Sequence, residues 1–158
     1  MAEAVKAAAN NVESKQYIVV VLGSEHYGVD INYIDNIVRM QSITRVPKTQ
    51  TYFEGVINLR GEVIPVMSLR KRFGLEADEI TGKTRILILK PEAQGSIGII
   101  VDSVKEVLTL SNEEIDKPSA KGADDDKTNF LTGVGKNGDE LVSILNIMEV
   151  IQDKEEEE

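Results

Sequence analysis

The sequence contains no cysteine and no tryptophan, a single histidine, and only four tyrosines and three phenylalanines among 158 residues. Without cysteine there are no disulfides, no thiolate zinc sites and no cysteine nucleophile. The single histidine, His26, all but excludes a catalytic triad or a zinc site; its place beside a turn suits a partly exposed side chain with no chemical role. No stretch approaches the ~20 apolar residues that span a bilayer. The opening Met1–Lys15 holds Ala7-Ala8-Ala9 but lacks a basic start followed by a long apolar run, so it does not read as a secretory signal. The expected compartment is therefore the cytoplasm. Positive charge is also scarce, since 18 Lys and Arg stand against 27 Asp and Glu for a formal net charge of −9. Such a surface repels phosphate backbones, which argues against nucleic acid as a partner.

What is present suffices for a core. A chain of this length fits one domain, or two very small ones sharing a core, and buries roughly two-thirds of its unfolded surface. Residues 1–15 read as a flexible arm, with order expected from Gln16. Tyr17–Leu22 (YIVVVL) is a continuous apolar run suited to a strand buried on both faces. Gly23-Ser24-Glu25 turns it into His26–Val29. Asp30 as N-cap, with apolar residues at 31, 34, 37 and 38, predicts a short helix over 30–37. Ile43–Val46 reads as a brief strand ended by Pro47.

Phe53–Leu59 and Glu62–Met67 read as a hairpin around Arg60-Gly61, because glycine accepts positive φ without steric cost. Ser68–Gly74 reads as a short capped helix. Glu76–Lys83 is polar and is the best candidate for an internal divide. Thr84–Leu89 and Ser96–Leu108 read as strands, the second long enough to bend or cross between two sheets. Ser111–Asp116 reads as a capped turn and Lys117–Asn129 as a mobile loop. A last hairpin is expected over Phe130–Val134 and Glu140–Leu145, followed by a short amphipathic helix over Asn146–Gln152. Residues 153–158 read as a disordered acidic tail. About nine short strands at regular spacing predict an all-β fold with minor short helices, in which closure into barrels would remove exposed edges.

Several motifs suggest chemistry and do not support it. Gly133-Val134-Gly135-Lys136-Asn137-Gly138 matches GxGxxG, but a strand follows where a dinucleotide site needs a helix, and Asn137-Gly138 is a favoured type I′ turn. Gly82-Lys83-Thr84 resembles the end of a phosphate-binding loop, yet Ala77 stands where glycine is required. Asp124-Asp125-Asp126 lacks the alternation, central glycine and closing glutamate of a calcium loop. Glu76, Asp78 and Glu79 have no apolar pocket to tune them and read as linker charges. No catalytic residue, metal site or cofactor is therefore expected.

The densest signal is Glu54-Gly55-Val56-Ile57-Asn58-Leu59-Arg60-Gly61-Glu62-Val63-Ile64-Pro65-Val66. It closely resembles the signature of the CheW family of bacterial chemotaxis coupling proteins. Gln16–Asp30, Ile43–Pro47, Ser96–Leu108 and Phe130–Gly133 resemble further family blocks in the right order, so the likeness covers roughly residues 16–152. The resemblance implies two five-stranded SH3-like β-barrel subdomains sharing an apolar core. It implies a non-catalytic adaptor that joins the cytoplasmic tips of methyl-accepting chemoreceptors to the regulatory domain of the histidine kinase CheA. It would be cytoplasmic, recruited to membrane-bound receptor arrays without inserting into the bilayer.

Carried over by motif position, the receptor-binding residues would be Ile34, Asn36, Gly55, Arg60 and Gly98, with Val107 involved in kinase coupling. The family usually has glutamate where this chain has Asn36, with Asp35 adjacent. Taken without the resemblance, Arg60 reads as a solvated turn residue and Ile34 as a core residue. The basic run Arg70-Lys71-Arg72 reads as a solvated helix face, or as a contact for an acidic partner. Two other readings stay open at this level. One is a fragment of CheA or of a CheV-like protein, against which Met1 and the polar tail argue. The other is a small-molecule binder or hydrolase using residues 124–126.

Overall fold

The computed structural model describes residues 14–47, 51–76, 79–91, 95–116 and 130–151. Residues 1–13 of the expected arm, the loop 117–129 with its three aspartates, and the tail lie outside the described residues, and the arm's last two residues, Ser14 and Lys15, instead open β1.

Eleven strands are present among them, more than the nine expected. They are β1 (Ser14–Leu22), β2 (Glu25–Asp30), β3 (Ile34–Arg39), β4 (Phe53–Leu59), β5 (Glu62–Ser68), β6 (Arg85–Leu89), β7 (Ile97–Val101), β8 (Ser103–Ser111), β9 (Ile115–Asp116), β10 (Leu131–Asn137) and β11 (Glu140–Leu145). Two single-turn helices follow hairpins: α1 (Leu69–Arg72) after β5 and α2 (Ile147–Val150) after β11. α1 starts on the expected Ser68 cap and α2 on Asn146, each side chain accepting from the backbone amide three residues on.

The strands form two sheets, one of six in the order β8-β1-β2-β11-β10-β9 and one of five in the order β3-β6-β7-β5-β4. The expectation of two closed five-stranded barrels is met only in part, because neither hydrogen-bonded ladder closes and the first sheet gains the two-residue β9. In the second sheet, the single bridge of Thr44 to Val56 brings the chain leaving β3 onto β4. In the first, β8 passes through the 3-10 turn Asn112–Glu114, held by the Ser111–Glu114 capping box, into β9 on β10.

Alternation along the strands sorts the core into three clusters. In β6, Ile86 and Ile88 join Ile57, Ile64, Val66 and Ile100 on one face, whereas Leu87 and Leu89 point the other way. In β1, Tyr17 and Val19 pack with Leu110, Val142 and Ile144, whereas Ile18, Val20 and Leu22 point away. Those opposite faces meet in a shared cluster that also takes in Met67, Ile99, Val101, Leu69, Phe73 and Ile147. Each sheet thus has a private core and contributes to a common one, which is why Tyr17–Leu22 of β1 and Ile86–Leu89 of β6 are apolar on both faces.

The chain changes sheet at the 3-10 turn Ile31–Tyr33 and again at Asp102. The long run 96–108 therefore divides between two sheets, as its length suggested. The polar connection ending at Lys83 leads from α1 into β6 without a change of sheet. The chain makes the same motif twice, once before and once after this connection. β4–β5–α1 and β10–β11–α2 carry bulges at Phe53/Gly55 and Leu131/Gly133. They share a backbone bond from Ser68 to Tyr52 and from Asn146 to Phe130, at 2.7 and 2.6 Å. Their central strands pair in parallel, Val66 with Gly98 and Ile144 with Gly28.

Three expectations are corrected. The helix over 30–37 is a three-residue turn followed by β3. Asp30 does cap it, at 2.9 Å from the Asn32 amide, but a bulge between Ile34 and Asn36 inserts a residue. The inserted residue spreads the apolar positions to the spacing of a helix. The strand at 43–46 reduces to one bridge at Thr44. In the last hairpin Asn137 pairs with Glu140, so Gly138-Asp139 forms the turn, and positive φ at Gly138 alone makes it type II′ rather than I′.

Candidate functional site

The residues singled out in the sequence fall mostly on the five-stranded sheet, and three of them share one line. Asn36 on β3 lies opposite Ile88, Ile88 opposite Gly98, Gly98 beside Val66, and Val66 opposite Gly55 on β4. Ile34 begins β3 opposite Leu89 and packs half-buried against the shared core. Its side chain therefore contributes to that core.

The glycines in this line have a steric reason to be glycine. At Gly98 a Cβ would lie 2.8 Å from Ile86 Cγ2 and 3.4 Å from Val66 Cγ2, inside the private core of the sheet. At Gly55, φ is +141°, and a Cβ would overlap the Thr44 carbonyl and lie 2.9 Å from Ile43 Cγ2. Glycine lets the 43–44 segment close on β4. The six-stranded sheet repeats the line as Glu106, Val19, Gly28, Ile144 and Gly133. Sequence reasoning missed Gly28 and Gly133 as packing positions. The signal for Gly133 was there, in the likeness of Tyr52-Phe53-Glu54-Gly55-Val56 to Phe130-Leu131-Thr132-Gly133-Val134.

Arg60 stands at the apex of the β4–β5 turn, exposed, and forms no ion pair with a described residue. Its φ is +54°, and it is the only non-glycine with positive φ among the described residues. With Gly61 at φ +86°, the two-residue hairpin loop that the sequence suggested is a type I′ turn. The Asn58 carboxamide oxygen accepts from the Gly61 amide at 3.2 Å and braces it. Val107 lies on the other sheet, on β8 opposite Ile18, and is 49% exposed. It occupies the place on β8 that Ile37 occupies on β3, one residue beyond the matching bulge.

The basic run Arg70-Lys71-Arg72 proves to be engaged within the molecule. Lys71 Nζ pairs with Glu54 at 2.8 Å. Arg72 lies over the rings of Tyr52 and Phe130. Arg70 grips Asp102 through Nε at 2.8 Å and Nη2 at 2.6 Å, while Asp102 also accepts from the Gly23 amide at 2.8 Å. Asp102 therefore ties α1, the β1–β2 turn and the crossing between sheets together.

The Arg70 hydrogen bonds, with help from the Gly23 amide and against partial burial, hold the Asp102 carboxyl below its usual range. A depressed native pKa means that this contribution is present above the unfolded-state value near 3.9 and is lost as pH falls through the native one. Asp102→Asn should thus lower the urea midpoint at pH 7 by the equivalent of about 1 kcal/mol. It should have little effect once pH is below the native pKa, and urea titrations across that range measure the difference.

His26 lies within β2 rather than at a free turn, with Nδ1 3.1 Å from Glu140 Oε1. Lys105 Nζ reaches the same oxygen at 2.8 Å, and its hydrogen bond chiefly holds the Glu140 carboxyl below its usual range. The GxGxxG run lies on β10 and the first residue of its turn, and the strand β11 follows where a dinucleotide site needs a helix.

A comparison with protein families matches residues 16–155 to the CheW-like domain. The chemotaxis protein CheW of Helicobacter pylori is 36% identical over 143 residues, covering 90% of this chain and 85% of that protein. The chemotaxis protein CheW of Klebsiella aerogenes is 30% identical over 151 residues, covering 96% and 90%. Among solved structures, the scaffolding protein TtCheW from Thermoanaerobacter tengcongensis matches with a TM-score of 0.80 and 34% identity over 90% of each chain.

Proposed function

This chain belongs to the CheW-like family of chemotaxis scaffold proteins, and from that premise we propose that it is a non-catalytic adaptor coupling methyl-accepting chemoreceptors to the histidine kinase CheA. The two sheets serve as SH3-like subdomains, and the receptor-facing surface is centred on the β4–β5 hairpin, with Ile34 and Asn36 contributing from β3 across the same sheet. Val107, on the other sheet, contributes to kinase coupling.

The observation that carries this reading is Arg60. A non-glycine residue at positive φ costs about 1–2 kcal/mol, and strained residues concentrate at functional positions. Arginine here gains no ion pair within the described protein in return. A guanidinium held at an exposed apex can make a charge-assisted bond to a carboxylate and set the orientation of a partner. Gly55 and Gly98 act indirectly in this reading, by letting β4 and β7 pack so that the hairpin holds its place. Among the described residues no helix is long and apolar enough to cross a membrane, so attachment to an array would run through receptor and kinase contacts.

Calorimetric titration against a receptor cytoplasmic tip and against the kinase regulatory domain tests the proposal. Arg60→Asn is the informative variant, because asparagine tolerates positive φ and keeps the turn. It should weaken receptor binding by about tenfold, as loss of one charge-assisted contact implies, and leave kinase affinity and thermal stability unchanged. Unchanged receptor affinity would remove Arg60 from the interface.

A further inference from the structure

We propose that the cleft between the turn entering β6 and the start of β8 binds a carboxylate-rich segment of a protein partner. The cleft encloses about 420 Å³ and is lined by Val21, Lys83, Arg85, Ser103, Val104 and Lys105. Three of these six are cations, in a chain whose formal net charge is −9.

Their charge is only partly compensated. Lys83 is exposed and forms no ion pair among the described residues. Arg85 Nη1 donates to the carbonyls of Gly82 and Thr84, both at 2.9 Å, which fixes its direction without neutralising it. Lys105 is held by Glu140. Arg39 on β3 stands directly opposite Arg85, and like charges facing each other across two strands destabilise the pair. An anion in the cleft would offset that repulsion. Val21 and Val104 supply apolar surface for the stem of an acidic side chain.

The shape favours an extended peptide over a small phosphate. The cations come from the turn before β6, from β6 and from β8, and among the described residues no glycine-rich loop or helix N-terminus lines the cleft. β8 ends its sheet, so its outer edge can accept an added strand while Lys83 and Arg85 meet its carboxylates. Arg85 belongs to one sheet and Ser103–Lys105 to the other, so an occupant would span both sheets. The site is separate from the Arg60 hairpin and stands whether or not that hairpin binds receptor.

The test uses the full chain and a fluorescein-labelled hexaglutamate peptide, followed by anisotropy and by backbone amide shifts. Saturable binding is expected at low salt, with shifts at Arg85 and Ser103–Lys105 and with weakening as the Debye length falls below about 10 Å. Lys83→Glu, at an exposed position, should weaken binding about fivefold while amide shifts elsewhere stay in place. Equal binding by the variant, or by a neutral hexaserine peptide, overturns the proposal. Displacement by equimolar pyrophosphate would also overturn it in favour of a small anion. Removing Asp153–Glu158 should change affinity by no more than about twofold, and a larger gain would make the chain's own tail the occupant.

Discussion

Gly55→Ala is expected to cost about 3 kcal/mol, because a methyl group at that φ must strain the backbone and push away the Thr44 carbonyl together. The obstacle is main chain, not the end of a flexible side chain, and it is fixed by two bonds between Thr44 and Val56 at 2.8 and 2.9 Å. Relief would require breaking the bridge that brings the chain leaving β3 onto β4. For a domain of this size the loss should appear as a fall in melting temperature of roughly 6–12 °C. Gly82→Ala provides the control, since a Cβ there meets nothing within 4 Å and φ is not positive. It should stay within about 0.5 kcal/mol of the parent. A Gly55 variant that melts like the parent would show that the bridge is dispensable, and the residue would then need another role. Any loss of receptor binding in Gly55→Ala has to be compared with its stability before the glycine is called a contact.

The second large effect is expected at Arg72, which joins the two halves of the chain. Its guanidinium carbon lies 4.4 Å from the centroid of Tyr52 and 5.0 Å from that of Phe130. These are the residues that occupy matching places before β4 and β10. Nε donates to the Val150 carbonyl at 2.8 Å and Nη2 to that of Glu149 at 3.3 Å, so a residue of α1 closes the end of α2. Truncation to alanine removes the cation–π contacts and the guanidinium hydrogen bonds to these two carbonyls, for a loss of roughly 2–3 kcal/mol. Arg72→Lys should recover little, because a single ammonium cannot lie flat between two rings and also reach two carbonyls. Urea unfolding of the three proteins measures both effects, and full recovery by lysine would reduce the site to simple charge.

Much of this architecture could be read from residue types, and the failures have physical causes. The β4–β5 hairpin was legible because Arg60-Gly61 sits between apolar runs and local turn chemistry decides the register. The Ser68 cap of α1 was legible for the same local reason. β3 was misread because a bulge gives a strand the apolar spacing of a helix, and only its pairing with β6 reveals the inserted residue. The role of Arg70-Lys71-Arg72 was not legible, since Asp102, Glu54 and the two rings come from distant parts of the chain. Of the candidate site, the exposure of Arg60 followed from its turn. The line from Asn36 to Gly55 required the strand order, which no local pattern encodes. The repeated motif was present in the sequence, but its halves share few identities, and its equivalence rests on matching bulges and caps.

Adaptor function itself is tested most directly by sedimenting CheA with receptor-bearing membranes in the presence and absence of this chain. The kinase should enter the pellet in proportion to added chain, up to saturation, and should stay largely in the supernatant when Arg60→Asn is supplied instead. Kinase that pellets equally without the chain, or stays in solution at every concentration of the parent protein, would contradict the account.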